Sequence, residues 1–254
     1  FGLSPDDWAV NVQPYSGSPA NLAVYSALLK PGEKLMGMAL TSGGHLTHGH
    51  KVSATGKIWK SVQFGVSATG LINYAEVARL ARKHKPKVIV SGFTAYPRKV
   101  NFKKFGEIAR SVGAYHLTDI SHIAGLVAGG VHPAPFPHAD VVMTTTHKSL
   151  RGPRGAIIFA KKDSLTAKKN KVDLPALIDR AIFPGLQVGR HNNTTAAMAL
   201  AFLEASQPSF KAYAKQIAKN AKALAAELKT LGFNLVSGGT DSHLILMDVR
   251  NLGL

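Results

Sequence analysis

Short apolar runs alternate with longer amphipathic segments along most of this chain. Five of the runs predict strands: Lys34–Leu40, Pro86–Val90, Ala114–Ile120, Val141–Thr144 and Ala156–Ala160. Apolar positions that recur three and four residues apart predict helices over Tyr74–His84 and Phe102–Val112. Strands that alternate with helices are typical of parallel pairing with right-handed crossovers. The pattern therefore predicts an α/β fold with a mostly parallel sheet sandwiched by helices.

The two ends of the chain extend this pattern. Ser4–Trp8 resembles a helix start with acidic residues in its first turn, and Ala9–Val12 predicts a short strand. An apolar helix is expected over Leu22–Leu29. Further helices are expected from about Thr194 to Leu231, followed by a strand over Phe233–Val236.

Composition narrows the class of protein. The chain has 254 residues, of which 45% are hydrophobic and 18% charged, as in soluble globular proteins. It contains no cysteine, which excludes disulfides and thiolate metal sites. Because the sequence shows neither an apolar run of about 18 residues nor a signal peptide, we expect a cytoplasmic location and no membrane partner. Since the sequence starts at Phe1, we also expect it to be a piece of a longer protein.

The formal net charge of +17 raises the question of nucleic-acid binding, since clustered lysines and arginines neutralise phosphates. Here the basic residues are spread thinly over candidate helix faces and loop ends, without interleaved aromatic residues. This distribution favours a solvated basic surface that attracts anionic ligands in general. We therefore do not expect nucleic acid as a partner.

Three polar residues fall near the carboxyl ends of predicted strands: Thr94, Asp119 and Lys148. Open parallel sheets bind their ligands at that edge. Lys148 follows an apolar strand and precedes Arg151 and Arg154 in a segment rich in glycine. Taken alone, it is compatible with a solvated loop lysine or with an amine held in a pocket to form a Schiff base.

Two segments nearer the N-terminus bear on this choice. Ser16–Ser18 precedes a predicted helix and is compatible with a phosphate cradle at the helix N-terminus, or with a plain turn and N-cap. Gly43–Gly49 contains His45 and His48. Their imidazoles are compatible with metal binding, with a structural role, or with stacking on a planar cofactor.

Pyridoxal phosphate requires the groups that these segments supply. It needs a lysine amine for its aldehyde, a carboxylate for its pyridine nitrogen, a phosphate cradle and often a ring stacked on its face. Lys148 supplies the amine and Asp119 the carboxylate. Ser16–Ser18 supplies the cradle and His45 the ring. The joint presence of these residues indicates a pyridoxal-phosphate site.

The segment from Val141 to Gly155, which contains Lys148, resembles the cofactor-lysine signature of serine hydroxymethyltransferases. The resemblance continues through five further segments: Asn11–Pro14, Gly43–Gly49, Asp119–Val127, Phe183–Gln187 and Ser237–Asp241. It implies fold type I of the pyridoxal-phosphate enzymes, acting as a homodimer. The implied reaction reversibly transfers the hydroxymethyl carbon of serine to tetrahydrofolate, giving glycine and 5,10-methylenetetrahydrofolate.

The resemblance also implies roles for individual residues. Those expected to bind the cofactor are Ser16, Gly17, Ser18, His45, Thr94, Asp119, His122, Lys148, Arg154 and Gly189. Those expected to be catalytic are Lys148, Asp119, His45, Thr145 and His147. Lys148 would hold pyridoxal phosphate covalently, and Asp119 would face its pyridine nitrogen. No metal is implied.

Each part of the cofactor has its own implied contacts. His45 would stack on the ring, and His122 and Thr94 would lie near the phenolic oxygen. Ser16–Ser18 would hold the phosphate. The lysine pocket would be lined by Thr145, His147 and Arg154. Thr145 would assist exchange of the cofactor between amines, and His48 is a secondary candidate.

This chain departs from the family pattern beside the expected phosphate site. Tyr15 and Pro19 stand where the family usually has histidine and glutamine. Val188, Gly189 and Arg190 stand where it usually has Gly-Gly-Pro. That loop is expected to reach the cofactor phosphate of the other subunit. Arg190 would supply charge there or would be a plain surface arginine.

Two parts of the family's substrate site have no match in this sequence. One is an N-terminal arm with a glutamate and tyrosines, and the other is the C-terminal domain with the arginine that grips the substrate carboxylate. We expect a cofactor-binding large domain over residues 1–208 and the beginning of a smaller α/β domain over residues 209–254, to which the segment His243–Val249 also belongs. Two alternatives remain open: a fold type I aldolase acting on threonine or a related β-hydroxy amino acid without folate, and an inactive cofactor-binding fragment.

Overall fold

A seven-stranded sheet forms the centre of the computed structural model, which describes residues 1–253 apart from the side chain of Asn251. Its strands are β1 (Trp8–Asn11), β2 (Lys34–Met38), β3 (Lys60–Phe64), β4 (Val88–Gly92), β5 (Tyr115–Asp119), β6 (Val141–Thr145) and β7 (Ala156–Lys161). They lie in the order β1-β7-β6-β5-β4-β2-β3. Strands β2 to β6 run parallel, and β7 is antiparallel to both β1 and β6. The predicted α/β fold with a mostly parallel sheet is confirmed.

Helices cover both faces of this sheet. In the described part of the chain they are α1 (Gly17–Leu28), α2 (Ala54–Ile58), α3 (Tyr74–His84), α4 (Phe102–Ser111), α5 (Ala124–Ala128), α6 (Leu165–Lys169), α7 (Leu174–Arg180), α8 (Asn192–Ser206) and α9 (Pro208–Thr230). Side chains of α1, α6 and α7 contribute to one hydrophobic core, and those of α3, α4 and α5 contribute to another. None of the helices within residues 1–253 is both long enough and apolar enough to cross a membrane.

The central strands are apolar throughout because both of their faces are buried. Val88 and Val90 of β4 belong to the core that contains α1, whereas Ile89 belongs to the core that contains α4. All five residues of β4, β5 and β6 are buried. Continuous apolar runs are typical of parallel strands that lie between two layers of helices, which explains why the sequence identified these strands.

Two predictions near the N-terminus are wrong. Ser4–Trp8 does not start a helix: the backbone N–H groups of Asp7 and Trp8 donate to the Ser4 carbonyl, and the chain then enters β1, where Trp8 pairs with Lys161. The helix predicted from Leu22 begins at Gly17. Pro19 is compatible with its first turn, because the N–H groups of that turn lack helical acceptors in any case.

The chain after α9 forms a small separate sheet. Strands β8 (Asn234–Leu235) and β9 (Met247–Asp248) pair in antiparallel fashion, so the predicted strand Phe233–Val236 is confirmed in a shorter form. The Arg98 guanidinium joins this region to the large sheet, since it donates to the Ser237 carbonyl and to Asp241. The boundary between residues 208 and 209 stays a prediction.

Candidate active site

A cavity of about 270 Å³ opens at the carboxyl ends of β4, β5 and β6. We call it the Lys148 cavity. It is lined by Ser16, Gly17, Ser18, Asn21, His45, His48, Phe93, Thr94, Asp119, Ser121, His122, Thr145, His147, Lys148 and Arg154. With the exception of Gly189, this lining contains every residue that the sequence predicted for the site.

Asp119 is the last residue of β5, and its carboxylate is surrounded by hydrogen-bond donors. His48 Nε2 and Asn21 Nδ2 lie 3.1 and 3.0 Å from its Oδ2. The backbone N–H and the hydroxyl of Ser121 donate to its Oδ1 over 3.0 and 2.6 Å. Burial alone would raise the pKa of Asp119, but the hydrogen bond and charge of His48, with the hydrogen bonds from Ser121 and Asn21, lower it below the usual range. Asp119 is therefore a carboxylate at neutral pH.

Lys148 lies three residues beyond the end of β6, with its Nζ 3.1 Å from His122 Nε2. Burial lowers the pKa of Lys148, and the charge of Arg154 lowers it further, while the charge of Asp119 opposes both. Burial and the neighbouring Lys148 charge lower the pKa of His122 to about 4. His122 is therefore uncharged at neutral pH and can accept a hydrogen bond from the Lys148 amine.

His45 is held in place by Thr47. The backbone N–H of Thr47 donates to His45 Nδ1 over 3.2 Å, and the Thr47 hydroxyl lies 2.7 Å from the same nitrogen. Asn21 in turn donates to the Thr47 hydroxyl over 2.9 Å. Burial and the charge of His48 lower the pKa of His45. The two histidines have different partners, because His48 contacts Asp119 and His45 contacts Thr47.

The N-terminus of α1 faces the cavity beside β6. Ser16 is its N-cap residue, but within residues 1–253 the Ser16 hydroxyl makes no capping hydrogen bond. A Cβ atom at Gly17 would lie 2.7 Å from Thr145 Cγ2, so a side chain there would push the helix away from β6. Free N–H groups at a helix N-terminus attract anions, and Arg154 adds a positive charge to the same lining.

Several polar atoms of the lining have no protein partner. Thr94 Oγ1, Thr145 Oγ1, His147 Nδ1 and Asn21 Oδ1 are buried without a hydrogen-bond partner among the described residues. Buried polar groups in native proteins are nearly always paired. These four atoms therefore fit a cavity that receives a polar ligand.

Gly189 lies outside the Lys148 cavity. Its carbonyl accepts a hydrogen bond from the Tyr15 hydroxyl, and the Tyr15 ring lies 4.7 Å from that of His191. The side-chain amide of Gln187 donates to the Gln13 carbonyl. The loop around Gly189 is thus fastened to the segment just before α1, while Val188 is 71% exposed.

The model of the serine hydroxymethyltransferase family matches residues 1–254. The chain belongs to this family. It is 58% identical over 245 residues to the serine hydroxymethyltransferase of Acidothermus cellulolyticus, which covers 96% of this chain and 55% of the relative. It is 55% identical over 242 residues to the serine hydroxymethyltransferase of Desulfotalea psychrophila, and the match covers 95% of this chain and 55% of the relative. It is 53% identical over 253 residues to the serine hydroxymethyltransferase of Francisella tularensis subsp. novicida, and the match covers 100% of this chain and 58% of the relative.

Membership of the serine hydroxymethyltransferase family confirms the resemblance seen in the signature around Lys148. The mostly parallel sheet flanked by helices is also consistent with fold type I of the pyridoxal-phosphate enzymes. The chain spans a little over half of the length of these relatives, 55–58%.

Sequence reasoning missed three residues that line the cavity: Asn21, Phe93 and Ser121. Asn21 joins Asp119 to Thr47, and Ser121 joins Asp119 to Thr145, whose backbone N–H donates to the Ser121 hydroxyl over 3.0 Å. Asn21 and Ser121 support the site by hydrogen-bonding to neighbouring residues, and neither side chain carries a group that marks it as a site residue in the sequence. The available signal was their position, since Ser121 lies two residues after Asp119 and Asn21 lies on the predicted edge of α1.

Proposed function

We propose that the Lys148 cavity binds pyridoxal 5′-phosphate and that the chain contributes to serine hydroxymethyltransferase activity. The proposed reaction is the reversible transfer of the serine hydroxymethyl carbon to tetrahydrofolate, giving glycine and 5,10-methylenetetrahydrofolate. One observation carries the proposal. An amine with a lowered pKa, Lys148, and an ionised carboxylate, Asp119, line the same cavity in a member of this family.

Bound pyridoxal phosphate supplies an aldehyde that bonds to amines and a ring that withdraws electrons from an attached amino acid. The lowered pKa of Lys148 leaves more of its amine neutral at a given pH than in an exposed lysine, and a neutral amine is the form that attacks an aldehyde. Asp119 keeps a proton on the cofactor's pyridine nitrogen, because its negative charge favours the protonated form.

The remaining predicted residues have proposed roles that fit their positions. Ser16, Gly17 and Ser18 hold the phosphate at the N-terminus of α1, with Arg154 as a counter-charge. His45 stacks on the ring, and its contacts with Thr47 fix the orientation of the imidazole. The unpartnered oxygens of Thr94 and Thr145 and the Nδ1 atom of His147 hydrogen-bond to the cofactor or to the substrate.

A homodimer in the cytoplasm is a further part of the proposal. Helix α8 has one charged residue, Glu204, in a chain of net charge +17. Leu200 and Leu203 on this helix are 60% and 61% exposed. An exposed apolar face of this kind supports association with another protein surface, and a second copy of the chain would also bring its own Gly189 loop. The division into a large domain over residues 1–208 and the beginning of a small domain over residues 209–254 is proposed with it.

The experiment compares the 254-residue chain with the product of the complete reading frame. We expect both to bind pyridoxal phosphate with a visible absorption band that Lys148→Ala abolishes, and the complete product to cleave serine in a tetrahydrofolate-dependent reaction. Threonine cleavage without folate would instead favour the aldolase. A band without turnover in the complete product would favour an inactive binder. The absence of any band in either protein would contradict the cofactor site.

A further inference from the structure

Arg151 connects the loop that carries Lys148 to helix α9. Its guanidinium carbon lies 4.5 Å from the centre of the Tyr213 ring and 5.5 Å from that of the Phe210 ring. Phe210 and Tyr213 belong to the first two turns of α9. We infer that Arg151 is a positioning residue, which fixes the Lys148 loop on α9 through this stacked contact. The inference rests on the proposed role of Lys148 as the cofactor lysine.

The backbone at Arg151 has a conformation that is unusual for an arginine. Its φ of 60° lies in the left-handed region, which side chains other than glycine, asparagine and aspartate rarely adopt. The Arg151 N–H donates to the Lys148 carbonyl over 3.0 Å, and the Gly152 N–H donates to the Thr146 carbonyl over 2.7 Å. Two backbone hydrogen bonds thus close a tight turn that includes Lys148 and contains the unfavourable conformation, and the side-chain contacts of Arg151 add to them.

The aromatic contact is the main anchor of Arg151. A planar guanidinium stacks on aromatic rings in a way that a lysine ammonium does not match. Arg151 also approaches Glu204 of α8, with Nη2 4.0 Å from Oε2. Both side chains of that pair are largely exposed, 47% and 59%, and exposed ion pairs contribute little.

The other side of the Lys148 loop is anchored independently. The Ser149 hydroxyl donates to the His122 carbonyl over 3.1 Å and accepts from the Gly125 N–H over 3.0 Å. This contact is tight, since a Cβ atom at Gly125 would lie 2.2 Å from the Ser149 carbonyl oxygen. Loss of the Arg151 contact would therefore leave the loop folded against α5. It would free the residues after Ser149, and it would weaken the hydrogen bond from the Arg151 N–H to the Lys148 carbonyl, so that the Lys148 amine could move away from His122.

The consequence is a physical connection between the cofactor lysine and the C-terminal part of the chain. Helix α9 runs from Pro208 to Thr230 and leads directly into β8. A displacement of α9 would reach Lys148 through two contacts: that of the Tyr213 ring with the Arg151 guanidinium, and the hydrogen bond from the Arg151 N–H to the Lys148 carbonyl. The environment of the lysine therefore depends on where α9 lies.

The test measures the pH dependence of Lys148 labelling by formaldehyde and cyanoborohydride in the cofactor-free protein, quantified by peptide mass spectrometry. The variants are Arg151→Leu, Tyr213→Ala and Tyr213→Phe, with Lys215→Ala as the control because Lys215 is an exposed basic residue of the same helix. We expect Arg151→Leu and Tyr213→Ala to raise the labelling midpoint by about half a pH unit or more, because a less buried lysine moves towards its ordinary pKa. Tyr213→Phe keeps the ring and should match the parent protein, as should Lys215→Ala.

Two results would overturn the inference. One is an unchanged midpoint in Tyr213→Ala, whatever happens to its melting temperature, since a purely structural contact would lower stability alone. The other is an equal shift in Tyr213→Phe and Tyr213→Ala. If Arg151→Leu fails to fold, Tyr213→Ala is the variant that tests the inference. Tyr213 is 39% exposed, so we expect its replacement to leave the protein folded. The measurement needs no bound cofactor, so failure of pyridoxal-phosphate binding in the parent protein would be recognised separately as failure of the proposed function.

Discussion

Asp119 remains ionised inside the protein because donors reach both of its oxygens. His48 and Asn21 contact Oδ2, while Ser121 donates twice to Oδ1. Such an arrangement compensates the cost of burying a charge. Asn21 and Ser121 are neutral donors, so three of these four contacts do not depend on a charged partner. The carboxylate is thus prepared before any ligand enters.

Replacement of Asp119 by asparagine tests this arrangement. Asp119→Asn keeps the size of the side chain but removes the negative charge, so we expect turnover of the complete product to fall by about 100-fold or more, with the absorption band of the bound cofactor retained. Asp163→Asn is the matched control, because Asp163 is an exposed carboxylate. Steady-state kinetics and absorbance spectra check both. Turnover within threefold of the parent value would contradict the proposed role of Asp119.

The sequence identified the lining residues with proposed chemical roles better than the residues that support them. Asp119 ends an apolar strand and Lys148 follows one, and parallel strands bring their carboxyl ends to one edge. Asn21 is different, because its contacts with Thr47 and Asp119 join residues far apart in the chain. Several polar residues lie near α1, and the exact start and rotation of the helix decide which of them faces Asp119. The apolar pattern predicts neither the start nor the rotation that precisely.

Helix α1 is the element whose position decides the shape of the cavity at the end proposed to bind the cofactor phosphate. Gly17→Ala would place a methyl group 2.7 Å from Thr145 Cγ2. We expect a loss of stability on the order of 1–3 kcal/mol from overpacking, and weaker binding of pyridoxal phosphate because the helix N-terminus moves. Equilibrium denaturation and cofactor titration measure the two effects. Ser26→Ala, at an exposed position of the same helix, should change neither.

Strand β5 contains a buried histidine that makes stability depend on pH. His116 Nε2 lies 2.7 Å from Ser91 Oγ of β4, and its Nδ1 lies 2.8 Å from the His138 carbonyl. Burial lowers the pKa of His116 to about 4, from an ordinary value of 6.5. The unfolded chain therefore binds a proton at this ring more readily than the folded chain, and stability falls as the pH drops from about 6.5 towards 4.

We expect His116 to account for a loss of on the order of 3 kcal/mol across that window. His116→Gln keeps hydrogen-bonding groups but cannot take up a proton, so its stability should decrease less steeply between pH 6.5 and 4.5. Urea denaturation at several pH values measures the two slopes. Equal slopes for the parent and the variant would show that other groups cause the acid sensitivity.

The elements that the sequence missed are those with weak apolar patterns. Strand β3 lies at the edge of the sheet, and its Lys60, Ser61 and Gln63 are exposed. Such a strand has little of the apolar signal that marked β4 to β6. The short helices α2 and α5 have five residues each, too few for a helical repeat to stand out.

The exposed face of α8 is the surface proposed above to take part in a homodimer. Leu200→Glu and Leu203→Lys would replace apolar side chains that are 60% and 61% exposed with charged ones. If α8 forms part of a homodimer interface, we expect either change to shift the protein to a monomer in sedimentation equilibrium, because a buried charge without a partner opposes association. Lys219→Gln, at an exposed position of α9, changes the net charge by one unit, as each leucine change does, and serves as the control. A dimer unaffected by both leucine changes would place the interface elsewhere.

The direction of β7 shows what the sequence pattern did and did not reveal about the whole sheet. Parallel strands need a crossover, usually a helix, whereas antiparallel neighbours can be joined by a loop. The segment between β6 and β7, from Thr146 to Gly155, holds the Lys148 loop and no helix. That missing crossover was the available signal for antiparallel pairing, and the general α/β alternation obscured it.

The pairing of β1 with β7 also determines when parts of this protein can fold during its synthesis. Trp8 of the first strand faces Lys161 of the last strand of the large sheet, so β1 has to wait until more than half of the described chain has left the ribosome. Contacts between distant parts of a chain form slowly, because a long loop must close first. The same delay applies to Gly17 and Thr145, which pack against each other. The Lys148 cavity therefore needs β7 to be in place, and a nascent chain that has not reached β7 has no formed site to offer a ligand.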